Sequence, residues 1–509
     1  MDAEVGRGHP RQPAQVLADR GAQRVGDDDG GSGHDDPRRR GTRDRIARRS
    51  SRRMREPVAC RPIMERNVAS SDSSGSGRPR RGLSPPTVAV LAYATAAVAG
   101  AALFRLDALN AREPLGLVDA LFLAASAVCV TGLSPVPDLA AQLSPLGEGV
   151  LLLLVQLGGI GIVLLGALLL RMLGRRVGSR HSAAIAENYG DHNALPLNLL
   201  LDVVATTLAI EGIGALALAW CWRDLDAGGW HAVFHAVSAF CNAGFTTFAG
   251  GLEGHAPPAG AGGVLLLLVV LGGLGFNVLR ELLRRPWRGG RPLSLHARLV
   301  VRLTALLIVG GAIGLFICDP GQGAWHALFL SISARTAGFQ LDDLVWAGAP
   351  TLLLLLALMV IGASPASTGG GIKTSNVAIF LRSIVTQMRG GGDVLFGERA
   401  LHESQVRQAV ALAASYIGLL LLFVFALACA VPAPADPRGF LALVFETGSA
   451  LGTVGLSTGL SCSLEPPAKL ILTVAMLAGR VGPLTLLLFL GGQARPSALR
   501  YPRERLHLG

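Results

Sequence analysis

The chain has 509 residues, 50% of them hydrophobic and only 16% charged, with a net charge of +11, whereas a soluble domain carries about 25% charged residues. The apolar excess is gathered into long runs, which excludes an ordinary soluble globular protein and marks a polytopic membrane protein. Basic residues crowd the first 82 positions and the short loops after particular apolar runs, a membrane-topology signal and not a nucleic-acid-binding surface.

Residues 1–82 are rich in Gly, Ser, Arg and Asp, show no apolar periodicity and lack the apolar core of a signal peptide. The segment reads either as a disordered cytosolic tail meeting anionic lipid or as an extension ahead of a start at Met54 or Met64, the reading slightly favoured. From residue 85 one pattern occurs four times: a long apolar helix, a half-length apolar segment ending in a Gly-containing loop, and another long helix. The repeats occupy 83–190, 191–288, 289–395 and 396–509. Their long helices are expected near 86–106 and 148–172, 197–222 and 262–284, 296–318 and 350–388, and 405–431 and 466–492. The half segments are 117–129 and those starting at Trp230, Ala324 and Pro437.

Segments of about 12 to 14 residues cannot cross a hydrocarbon core of about 30 Å. They are expected to dip in and turn back, with their exposed backbone lining a water-filled path. Arg-rich loops follow each repeat and precede the first helix, so the positive-inside rule puts those loops and both termini in the cytosol. The expected fold is all-α, with eight transmembrane spans and four pseudo-symmetric helix–pore-loop–helix repeats around one ion pore.

The loops after the half segments read Val130-Thr131-Gly132, Asn242-Ala243-Gly244, Thr336-Ala337-Gly338 and Thr453-Val454-Gly455. A dehydrating cation needs oxygen ligands, which rings of backbone carbonyls supply in selective pores. Glycine permits the dihedrals that such a loop needs. One TxG string would mean little; four, each after a half-length apolar segment, mark a selectivity filter. The seven cysteines have no CxxC spacing and read as free thiols, with Cys129 and Cys241 beside the filter.

In the third repeat the apolar run breaks into Ala363-Ser364-Pro365-Ala366-Ser367-Thr368-Gly369-Gly370-Gly371, then Ile372, Lys373 and Thr374, before apolar helix resumes at NVAIFLRSIV. A nucleotide loop is excluded, because Ile372 separates glycine from lysine and no strand precedes. An ordinary cytosolic loop leaves the resumed helix unexplained. The favoured reading is an intramembrane gate below the filter, broken in this repeat alone. Arg480 lies 14 residues after Pro466, roughly 20 Å into the membrane at 1.5 Å per residue. That matches the depth of Gly362, so Arg480 is expected to hold the carbonyls of 363–371.

Other polar groups in apolar runs are Glu211, Glu446, Arg335 and Asn277. Glu211 is expected to pair within the bundle or to attract cations. Glu446 supports the fourth loop or concentrates cations at the mouth. Arg335 is expected to pair with a carboxylate, and Asn277 to make a helix-packing hydrogen bond.

The four loops, FETGSALGTVGLS at 445–457, STGGGIKT at 367–374, GRVGPLT at 479–485 and the terminal RYPRERLHLG together resemble the Trk/Ktr/HKT superfamily of potassium transporters, over about 83 to 509. The eight spans, with no added helix pair, look most like the KtrB-type membrane subunit. The resemblance implies potassium uptake down its electrochemical gradient, with the ion bound by filter carbonyls. It also implies a homodimer in the bacterial cytoplasmic membrane, seated on a cytosolic KtrA/TrkA-like RCK ring that binds ATP or ADP. The chain itself then carries no cofactor, and sodium as an activating ion is left open. Gly132, where related proteins that carry sodium have serine, favours potassium. The rival readings are a sodium-preferring or proton-coupled transporter and a membrane-embedded enzyme. The enzyme would need a catalytic cluster, whereas His231, His235 and His326 are scattered near outer ends.

Overall fold

The computed structural model describes residues 85–161, 197–252, 255–256, 260–284, 292–397, 399–431 and 437–491. The N-terminal tail, the Arg-rich stretch 171–181 and the C-terminal motif lie outside them. In chain order the helices are α1 (Pro85–Phe104), α2 (Leu117–Cys129), α3 (Pro145–Ile160), α4 (Leu197–Cys221), α5 (Gly228–Cys241), α6 (Ala261–Gly273), α7 (Phe276–Arg284) and α8 (Leu295–Cys318). They continue with α9 (Gly323–Ser333), α10 (Ala349–Val360), α11 (Thr374–Met388), α12 (Glu403–Ala430), α13 (Pro437–Gly452), α14 (Pro466–Val481) and α15 (Pro483–Gly491). A two-residue hairpin, Leu395–Phe396 with Arg399–Ala400, interrupts the helical pattern.

Among the described residues four helices are long and apolar enough to cross a membrane: 86–104, 201–221, 295–318 and 403–430. These are the first long helices expected in each repeat, and they turn leucines outward, Leu216 being 75% exposed and Leu306 66%. The half helices behave oppositely. In α2 every residue from Phe122 to Cys129 is fully buried, so these helices form the interior.

Packing runs in a cycle. Each long helix packs on its own half helix: α1 on α2, α4 on α5, α8 on α9, α12 on α13. Each second helix then reaches the next half helix: α3 meets α5, α6 meets α9, α10 meets α13, and α14 meets α2. Four buried apolar clusters fill these junctions. At equivalent points stand Phe122, Phe234, Phe329 and Phe445, each at most 1% exposed. Close approach depends on missing side chains. A Cβ on Gly158, Gly272 or Gly479 would collide with the carbonyl oxygen of Val128, Phe240 or Leu451 respectively.

The second helices differ from expectation. The third repeat is not the only one interrupted. Helix α6 stops at Gly273, and α7 leaves at 109° to it through Gly275, whose φ is +84°. Helix α14 ends at Gly482 (φ +92°) before α15 begins, and α3 ends at Gly161 (φ +95°). Apolar residues resume after each of these points, so hydropathy alone joins what a backbone turn divides.

Gly479→Val should destabilise the protein by about 1–3 kcal/mol through overpacking. Gly149, with nothing near its Cβ position, should accept alanine without loss. Thermal melts of the purified protein in detergent check the pair.

Candidate functional site

Each half helix ends in a residue held in the left-handed region although it is not glycine. Val130 has φ 57°, Asn242 61°, Thr336 78° and Thr453 48°. Such residues cost energy there, and main-chain bonds hold them. Thr131 N–H donates to Ser126 O (2.8 Å), Ala243 to Ser238 (2.7 Å), Ala337 to Ser333 (2.9 Å) and Val454 to Ser449 (2.9 Å). Two residues on come Gly132, Gly244, Gly338 and Gly455, with φ between 70° and 97°. Their positions close a ring. A Cβ on Gly132 would strike Ala243 O, on Gly244 Ala337 O, on Gly338 Val454 O, and on Gly455 Thr131 O. Eight of the twelve residues read from the sequence as the filter, Thr131, Gly132, Ala243, Gly244, Ala337, Gly338, Val454 and Gly455, therefore meet backbone against backbone, and Val130, Asn242, Thr336 and Thr453 stand next to them in the chain. With its amide turned so that nitrogen faces acceptors, Asn242 donates to Ala239 O (3.0 Å) and Val269 O (3.1 Å).

A set of braces that the sequence reading missed holds this ring. The hydroxyls of Ser126 and Ser449 accept from Gly132 and Gly455 N–H (3.1 and 3.0 Å), while those of Ser238 and Ser333 donate to Phe245 O (2.9 Å) and Phe339 O (2.5 Å). The signal was available, since a serine stands five or six residues before every ring glycine. Glu446 is fully buried and its oxygens are spent on the outer part of the fourth loop. They accept from Ser457 Oγ (2.6 Å), Thr458 N–H (2.9 Å) and Ser461 Oγ (2.7 Å). Of its two expected roles the geometry fits loop support. His235, one residue after its half-helix phenylalanine as Glu446 is, places Nε2 2.9 Å from the Thr246 hydroxyl. Lys469 joins the fourth segment to the first, bonding Asp119 at 2.6 Å and Pro135 O at 3.4 Å.

Beneath the ring lies the 363–371 loop. A Cβ on Gly369 would overlap Thr336 Oγ1, and one on Gly370 would overlap Thr453 Oγ1, so this glycine pair abuts two ring threonines. Helix breaks converge on the loop from other segments. Ser364 N–H donates to Gly273 O (3.1 Å), Thr368 N–H to Gly272 O (3.4 Å), and Phe276 N–H to Ala366 O (2.9 Å). Thr368 Oγ1 donates to Phe240 O at 3.1 Å. Arg480 donates through one terminal nitrogen to Thr368 O and through the other to Gly158 O, which makes the expected contact and adds a link to α3. Lys373 Nζ closes the loop on itself at Gly369 O, 2.6 Å away. Ala366 takes φ +56°. Pro365 and Ser367 complete the loop, and the Ser367 hydroxyl has no hydrogen-bond partner.

The remaining buried groups divide. Glu211 accepts from Gln156 Nε2 at 2.9 Å and from the Cys241 thiol at 3.6 Å, a pairing within the bundle. Arg335 departs from expectation. Among the described residues no carboxylate lies within ion-pair distance of it, because the elements packed around it present aliphatic side chains. His326 pairs with Asp342 at 2.8 Å, and Asn277 lies on α7.

Comparison with known proteins gives this geometry a lineage. Residues 86–493 match the model of the TrkH family, described as cation transport protein. The Ktr system potassium uptake protein B of Vibrio alginolyticus is 33% identical, over 83% of this chain and 95% of that protein. Its namesake from Bacillus subtilis is 32% identical, over 84% and 97%. Among solved structures, the potassium transporter TrkH from Vibrio parahaemolyticus superposes with a TM-score of 0.63 at 20% identity, covering 81% of this chain and 86% of that one, a likeness of fold. The chain belongs to the TrkH family of cation transport proteins.

Proposed function

We propose that this protein takes up potassium across a bacterial membrane, the ion passing through the ring of residues 130–132, 242–244, 336–338 and 453–455. The observation that carries the reading is the closed ring of four glycine loops. Each loop brings main-chain carbonyls together in the protein interior, the arrangement that carbonyl-lined cation paths use. Relatives named for potassium uptake supply the ion. The chain is accordingly a transporter and not an enzyme.

In this reading the second helices, interrupted though they are, complete eight spans. The four repeats keep the boundaries 83–190, 191–288, 289–395 and 396–509, and both termini are cytosolic. The 363–371 loop, with Lys373 and Arg480, is the gate. Gly369 and Gly370 abut ring threonines, which supports reading the loop as a plug that moves to let an ion pass. The bonds from Arg480 hold it shut. The relatives' names speak of a system, and so of a further component. We assign that role to a cytosolic RCK ring binding ATP or ADP beneath a homodimer of this chain, with sodium as a candidate activator.

Gly132→Ser should lower the preference for potassium over sodium by about tenfold, equivalent to about 1.4 kcal/mol. Permeability ratios in reconstituted vesicles check it, and an unmoved ratio would remove that loop from the filter. Deleting 364–370 should raise potassium flux several-fold and weaken control by a nucleotide-binding partner, and unchanged flux would sink the gate. Arg480→Ala should raise the resting leak; a leak equal to wild type would leave Arg480 a packing residue. Growth rescue of a potassium-uptake-deficient host, at low potassium against low sodium, tests the ion.

A further inference from the structure

Transport through the ring makes no use of Arg335, although it stands one residue before Thr336. It is only 7% exposed, and its Nε is buried without an acceptor. Among the described residues no carboxylate approaches it. A guanidinium stays charged at any physiological pH, and a charge at membrane depth requires compensation.

Thr304 on α8 is a second, separate observation. It is buried, and its hydroxyl has no partner, although a helical threonine readily bonds back to the carbonyl four residues earlier. Arg335 and Thr304 line one small cavity, walled otherwise by side chains such as Val270, Ile308 and Ile332 and by Ala363 of the gate loop. The cavity is small, with room for one small ion or water. The pocket thus offers a fixed cation, a hydroxyl and no acidic side chain, at the junction of a half helix, two long helices and the gate.

We propose that this cavity binds a single monovalent anion of halide size, held by the Arg335 guanidinium and the Thr304 hydroxyl. The small cavity suits a single-atom ion, and the guanidinium disfavours a cation. Water would fill the space and leave the charge. The bound anion cancels a positive charge beside a path for cations, so transport becomes sensitive to halide. That last consequence rests on the reading of the ring as a potassium path; the binding itself does not.

The test uses the full chain in lipid nanodiscs and in crystals, with potassium bromide replacing potassium gluconate at constant ionic strength. The expected result is a saturable rise in melting temperature with bromide and an anomalous bromide peak within hydrogen-bond distance of Arg335. Thr304→Val should weaken bromide binding about tenfold, as loss of one hydrogen bond to a charged partner implies. Arg335→Gln should abolish the response. Absence of the peak, or an unchanged bromide response in Arg335→Gln, would overturn the proposal. If Arg335→Gln does not fold, the wild-type peak and the Thr304→Val titration decide. Flux is a separate readout. A bromide peak in a protein that carries no potassium would support the anion site and sink the reading of the ring.

Discussion

The structure depends on one constraint: main-chain polar groups inside a membrane must be bonded or must line water. Four half helices end in the protein interior, and every end leaves main-chain groups that the helix itself does not satisfy. The left-handed turns at Val130, Asn242, Thr336 and Thr453 answer it locally by bonding each following N–H back to a serine carbonyl. The serine hydroxyls bind the next part of each loop. What remains unbonded is a ring of carbonyls packed edge to edge, the kind of surface a partly dehydrated cation can use.

The same constraint shapes the lower half. Second helices that stop at Ile160, Gly273, Val360 and Val481 free carbonyl groups, and the 363–371 loop with Arg480 gathers several of them. Gly272, Gly273 and Gly158 all offer carbonyls to it or to its guanidinium clamp. One loop from one segment therefore answers to helix ends in the others. A strongly charged, five-donor side chain suits this role because one terminus can serve two carbonyls from different chain segments.

The sequence was most informative where a residue's chemistry is local. The ring glycines were legible because half-length apolar runs and positive-φ residues leave a composition signature. Arg480 was placed by counting along a helix. The interruptions at Gly275 and Gly482 carried local signals that went unused, three glycines at 272, 273 and 275 and the pair Gly482-Pro483, because the surrounding hydropathy reads as one span. The serine braces needed the four segments to be set side by side. Glu446 reads as ambiguous in one dimension, since its partners Ser457, Thr458 and Ser461 lie beyond the turn. The surroundings of Arg335 come from α6, α8 and the 363–371 loop, distant in sequence and invisible to any window along the chain.

The cyclic packing also carries a consequence for biogenesis. Three of the four junctions join segments adjacent in the chain, but the fourth brings α14 back to α2, with Lys469 meeting Asp119 across 350 residues. A chain emerging from synthesis can settle its first three junctions in order. It must carry the longest loop-closure cost last. Until α14 arrives, α2 keeps an open flank. Arg480 rides on that same final helix. The helix that closes the packing cycle thus also carries the clamp on the 363–371 loop, so closure of the cycle and clamping of that loop arrive with one element.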